Sequence, residues 1–71
     1  MPILKHFEYE HLPEDLKEVS KKFHDLAHDM VDKLLTNVSE LYHNPELEAG
    51  LRKLLEAKDC FVRAAIEFRE L

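Results

Sequence analysis

Seventy-one residues make one domain and leave no room for a catalytic unit joined to a regulatory one. A composition that is 45% hydrophobic and 35% charged belongs to a folded chain and excludes a disordered one. The net charge of −5, from 15 acidic and 10 basic residues, argues against the long basic face that duplex DNA binding requires.

Residues 1–12 carry Pro2, Phe7 and Tyr9 among lysine and histidine side chains with no helical period, which predicts an ordered, extended arm. Pro13 stands where a first helical residue is expected, and Glu14 and Asp15 suit the positive end of a helix. From there Leu16, Val19, Phe23, Leu26 and Met30 recur at alternating spacings of three and four, with Ala27, Val31 and Leu34 widening the stripe. The first helix is therefore expected over 13–43, with a kink near 36–37 where Asn37 and Glu40 form a capping-box pattern. Asn44-Pro45 is a firm break, because the residue before a proline avoids helical dihedrals while asparagine caps and proline opens the next helix. The second helix is expected over 44–71, and the whole chain, 1–71, reads as a single domain. Gly50 inside that helix either costs about 1 kcal/mol relative to alanine or marks close approach of another backbone.

The fold class implied is all-α: an arm followed by an antiparallel two-helix hairpin. On a helical wheel, Leu47, Leu51, Leu54, Leu55, Cys60, Phe61, Val62, Ala64, Ala65, Ile66 and Phe68 cover more than half of the second helix. One partner helix cannot bury that arc, and a core in a chain this short rarely supplies more than roughly 3–5 kcal/mol. Cys60 has no second cysteine to pair with and is expected to be a small buried hydrophobe. Completion of the core by homo-oligomerisation is therefore expected, with a dimer as the minimum. No apolar run approaches the roughly 18 residues of a membrane span, and no leader pattern precedes a cleavage site, so the expected location is cytoplasmic with no membrane partner.

Lys17, Lys21, His24 and His28 fall on one strip of the first helix, beside an acidic strip of Glu18, Asp25, Asp29 and Asp32. A basic strip beside an arm bearing Phe7 and Tyr9 suits a small planar anion, with a ring stacking on a base and cations meeting phosphate; the alternative is a solvated face of alternating charge. The spacings His24-x-x-x-His28 and Glu40-x-x-His43 are those of metal ligands, but the first lacks the central glutamate of a zinc hydrolase and the second lacks further inward-facing glutamates. Neither a metal nor any other cofactor is called for, and the chain reads as a non-enzyme. Lys58 falls within the apolar arc of the second helix, where its charge must be answered by snorkelling, by an acid, or by a ligand cavity. Arg63 lies on the polar side, where pairing with Asp59 competes with an anion site built from symmetry-related copies.

The segment Leu51-Arg-Lys-Leu-Leu-Glu-Ala-Lys-Asp-Cys-Phe-Val-Arg-Ala64, with Phe7-Glu-Tyr9 and Leu12-Pro-Glu-Asp-Leu16, resembles short helical-hairpin proteins of bacteriophages, and among them the anti-CBASS cyclic-oligonucleotide sponges. That resemblance implies a homohexamer that sequesters cyclic di- and trinucleotides without cleaving them, in the cytoplasm of the infected host. By the same resemblance the base-stacking tyrosine falls on Tyr9 and the arginine of the Val-Arg-Ala segment on Arg63. The phosphate-contacting lysine of the first helix falls on His24 when Leu26-Ala27 is the anchor, with Lys21 or Lys22 as substitutes after one residue of slippage. A histidine is only partly charged at neutral pH, so affinity or ligand choice would differ from the sponges. The alternative is a small oligomeric helical bundle that binds a protein partner.

Overall fold

Proline at position 2 and the aromatic ring at position 7 bracket the first element of the computed structural model, which describes residues 2–35 and 44–70. Pro2–Phe7 forms a 3-10 helix, and Leu12 N–H donates to the Tyr9 carbonyl at 3.0 Å in the turn beyond it. The extended arm expected for 1–12 is therefore corrected over Pro2–Phe7, which coils. The physical reason is Phe7, which is 0% exposed and packs into the cluster formed by Ala27, Val31 and Leu51. Coiling brings Ile3 and Leu4 against the same cluster, whereas an extended strand would point alternate side chains away from it.

Helix α1 spans Glu14–Leu34. Pro13 is its N-cap rather than its first residue, with an extended ψ of 154°. Having no side-chain oxygen, it offers only its carbonyl, which accepts from Lys17 N–H at 2.7 Å. Leu35 closes the helix, its N–H donating to the Val31 carbonyl at 2.9 Å. The expected continuation to 43 and the kink near 36–37 lie outside the described residues.

Helix α2 spans Pro45–Arg69. Its start is the one the Asn-Pro pair predicts: Leu47 N–H donates to Asn44 Oδ1 at 2.9 Å, and Pro45 occupies the first turn, where its missing N–H costs nothing. Asp15 pairs with Arg69, Phe23 with Phe61, and Val31 clusters with Leu51. Positions advancing along α1 meet positions retreating along α2, so the two helices form an antiparallel hairpin with the 3-10 helix packed on both.

The buried line on α1 is Leu16, Ser20, Ala27 and Val31, the i, i+4 and i+7 rows that face a neighbouring helix. Ser20 is 0% exposed, and its hydroxyl finds no hydrogen-bond partner among the described residues. The other flank of the apolar stripe stays open: Leu26, Met30 and Leu34 are exposed, Leu34 at 61%. On α2 only Leu51 is buried, while Phe61, Ile66 and Phe68 are exposed. Cys60 is exposed as well, which corrects its expected burial. The Cα radius of gyration of 13.5 Å exceeds the about 11 Å of a compact chain of this length, as a rod 46 Å long must. Among the described residues no helix is long and apolar enough to cross a membrane.

Candidate functional site: the Tyr9–Lys21–His24 cluster

Leaving the 3-10 helix, the chain turns over the middle of α1, and Tyr9 lands beside the polar strip of that helix. Its ring meets the His24 imidazole edge-on, with centroids 4.9 Å apart and planes at 71°. The Lys21 ammonium stands 6.0 Å from the Tyr9 ring centroid, at the outer reach of a cation–π contact. His28 continues the cluster along α1, its ring 4.3 Å from that of His24. Glu8, Tyr9, Glu10, His11 and His24 line a groove of about 450 Å³.

Asp25 governs the electrostatics of this cluster. It accepts from Lys21 Nζ at 2.6 Å through one oxygen and meets His24 Nδ1 at 3.0 Å through the other. The Lys21 hydrogen bond, then that of His24, holds the Asp25 carboxyl below its usual range, and Asp25 in turn raises the Lys21 ammonium. An ionised carboxylate only accepts, so Nδ1 carries the proton in this contact, and Nε2 donates to an anion only when the ring is an imidazolium. Lys21 and Asp25 are both about half exposed, and lysine preceding the acid is the weaker order for an i, i+4 pair. Such a pair contributes little stability, so an incoming anion competes for Lys21 at low cost.

The site residues expected from sequence divide into three groups. Tyr9, Lys21 and His24 come together. Neither Lys21 nor Lys22 lines a groove wall; Lys21 is set apart by its approach to the Tyr9 ring, and Lys22, rotated about 100° from it on the helix, is exposed. Arg63 lies in a second groove of about 420 Å³, walled by Lys5, His6, Lys58 and Asp59. Glu8 and His11 line both grooves, so the turn after the 3-10 helix is the partition between them. Arg63 does not make the alternative pairing with Asp59: its Nη2 donates to Cys60 Sγ at 3.3 Å, and Asp59 faces Lys58 at 3.6 Å. Lys58 answers its charge by reaching the His6 carbonyl at 2.6 Å.

Sequence patterning does not single out Glu8, Glu10 and His11. The turn that gathers them has no periodic signature, and the Leu12-Pro13 pair is the local sign of a change of direction. A third, apolar groove of about 670 Å³ runs between Leu26, Met30 and Leu34 of α1 and Leu47, Gly50 and Leu54 of α2. A methyl group at Gly50 would meet nothing within 4 Å, so among the described residues no backbone approaches it closely. Among those residues, too, no three His, Cys, Asp or Glu side chains gather as a metal-binding group; Glu40 and His43 lie outside them. Comparison with protein-family models, with curated proteins and with solved structures found no match.

Proposed function

We propose that the protein binds a cyclic oligonucleotide second messenger and sequesters it without cleavage, as an anti-defence protein of a bacteriophage acting in the host cytoplasm. The observation that carries this reading is the meeting of Tyr9 and His24 in one groove, with ring centroids 4.9 Å apart, and the Lys21 ammonium beside it, 6.0 Å from the tyrosine ring. An aromatic face for a base and a displaceable ammonium for a phosphate are the two contacts that a nucleotide needs. The identity of the ligand class comes from the resemblance of segments 7–9, 12–16 and 51–64 to the phage sponges. Tyr9 stacks on a base, Lys21 and His24 meet phosphate, and Arg63 serves a second anion in its own groove; Lys22 is the least supported of the expected contacts. Holding a ligand requires no turnover, so the reading makes the protein a non-enzyme.

Assembly belongs to the same proposal. Leu26, Met30, Leu34, Phe61, Ile66 and Phe68 are all exposed on the single chain, an apolar surface of the kind monomers rarely leave to water. A homo-oligomer covers it, a dimer at the least and a hexamer by resemblance. This surface also favours a second reading, a helical-bundle interaction module with no nucleotide ligand.

The two readings part on a thermal-shift titration with cyclic di- and trinucleotides, since a ligand of the native state raises the melting midpoint by mass action. The sponge reading expects a concentration-dependent rise, nucleotide recovered intact after heating, and loss of the rise in Tyr9→Ala with the assembly retained. A folded, assembled protein whose midpoint moves with none of these nucleotides would leave the interaction module.

A further inference from the structure

We propose that Lys58 is a positioning residue for the Tyr9 site, a cap supplied by α2 that fixes where the N-terminal segment crosses α1. It acts on the backbone leading to Tyr9 rather than on the ring. Its side chain is 13% exposed, and its ammonium donates to the His6 carbonyl at 2.6 Å across 52 positions of sequence. That carbonyl belongs to the last turn of the 3-10 helix Pro2–Phe7. The preceding carbonyl, of Lys5, accepts from Glu8 N–H at 3.3 Å, and the His6 oxygen is the next acceptor at the negative end of the element. A lysine at a helix C-terminus satisfies such an oxygen and the local dipole together.

The position matters because the chain passes directly from it into the core and then to the site. Phe7 is buried in the core, and Tyr9, two residues on, meets His24. Ile3, Leu4 and the buried ring of Phe7 hold the 3-10 helix on the core through side chains. The Lys58 bond, one residue before Phe7 and from the other helix, holds the backbone itself and so sets the direction in which Glu8 and Tyr9 leave. The partial burial of the lysine stem suits a positioning role, since a stem packed along its length carries the ammonium on few free torsions. Asp59, at 3.6 Å from the same ammonium, keeps the charge paired without removing it from the carbonyl.

The inference rests on the ligand-binding reading for its affinity consequence alone; the geometry is measurable in the free protein. Lys58→Met keeps the stem and removes the donor. In the ligand-free protein, the His24 ring-proton resonances, shifted by the neighbouring Tyr9 ring, are expected to move toward free-imidazole positions. Exchange of the Glu8 and Leu12 amides, which donate to the Lys5 and Tyr9 carbonyls, is expected to quicken about tenfold, the lower range of what a charge-assisted hydrogen bond contributes, while the core amides of α1 and α2 keep their protection. The dissociation constant for cyclic di-adenylate is expected to rise by about the same factor. Unchanged His24 resonances and unchanged exchange of the Glu8 and Leu12 amides in a folded Lys58→Met protein would overturn the proposal. Should that variant fail to fold, Lys58→Arg decides: it retains a charged donor and is expected to keep the wild-type ring shifts and exchange, and a loosened 8–11 segment in it would count against the cap. If wild-type protein binds no cyclic nucleotide, the sponge reading falls while the ring shifts and exchange still judge Lys58.

Discussion

Arg69 holds Asp15 through two parallel hydrogen bonds, Nε to one carboxylate oxygen and Nη2 to the other, tying the last residue of α2 to the first turn of α1. The Arg69 hydrogen bond is the largest cause of the depression of the Asp15 carboxyl from 3.8 to about 2. A carboxyl lowered in the folded state contributes stability that is fully present above its unfolded value and is lost as pH falls through the folded one. Urea midpoints of the wild type are therefore expected to fall between about pH 4 and pH 2 in a step that is smaller in Asp15→Asn, where the lowered Asp25 carboxyl remains. Arg69→Lys is expected to behave like the loss of the pair rather than like the wild type, because an ammonium cannot make the two-pronged contact.

Gly50 lies inside α2 with open space where a Cβ would stand. Gly50→Ala is expected to raise stability by about 0.5–1 kcal/mol through the lower backbone entropy of the unfolded chain and the better helix propensity of alanine. Chemical denaturation reads this directly. A decrease instead would mean that the assembled protein brings another chain's backbone against this position.

Asp25 occupies the Lys21 ammonium and the Nδ1 side of His24 at once. Asp25→Asn is expected to tighten binding of a cyclic dinucleotide by about two- to fivefold, the size of an exposed ion pair that no longer has to be displaced. Isothermal titration at two salt concentrations checks it, since the gain should shrink as salt screens the phosphate. Weaker binding would assign Asp25 to orienting His24 rather than to restraining Lys21.

Met30 and Leu34, one turn apart on α1, are 47% and 61% exposed beside the apolar groove. The double substitution Met30→Glu, Leu34→Glu is expected to dissociate the assembly, because burying two unpaired carboxylates in an apolar contact is unfavourable. Light scattering coupled to size exclusion should give the mass of one chain with helical circular dichroism retained. The melting midpoint should then lose the dependence on protein concentration expected of the wild-type assembly. A wild-type protein that is already monomeric at every concentration would end the assembly proposal.

Much of the candidate site is readable in the sequence as residue types, and less of it as a place. Tyr9, Lys21 and His24 stand out because an aromatic-bearing segment precedes a basic strip at helical spacing. That they come together, while Lys22 is turned away and Arg63 faces a different groove, depends on how residues 2–12 cross α1. The carboxylates of Glu8 and Glu10 enter the groove through a turn whose residues carry no period.

Sequence alone determined the two helices, the asparagine-capped start of α2 and the wide apolar arc along it, because helical periodicity and capping are local properties of consecutive residues. Only the tertiary structure decided that the N-terminal segment coils rather than extends, since burial of Phe7 against Ala27, Val31 and Leu51 outweighs any local preference of Pro2–Phe7. The same holds for Lys58. Its position in the apolar arc signals a charge that needs a partner, but the His6 carbonyl that supplies one lies 52 residues away, and only chain packing brings a backbone oxygen with no side-chain signature of its own to that ammonium.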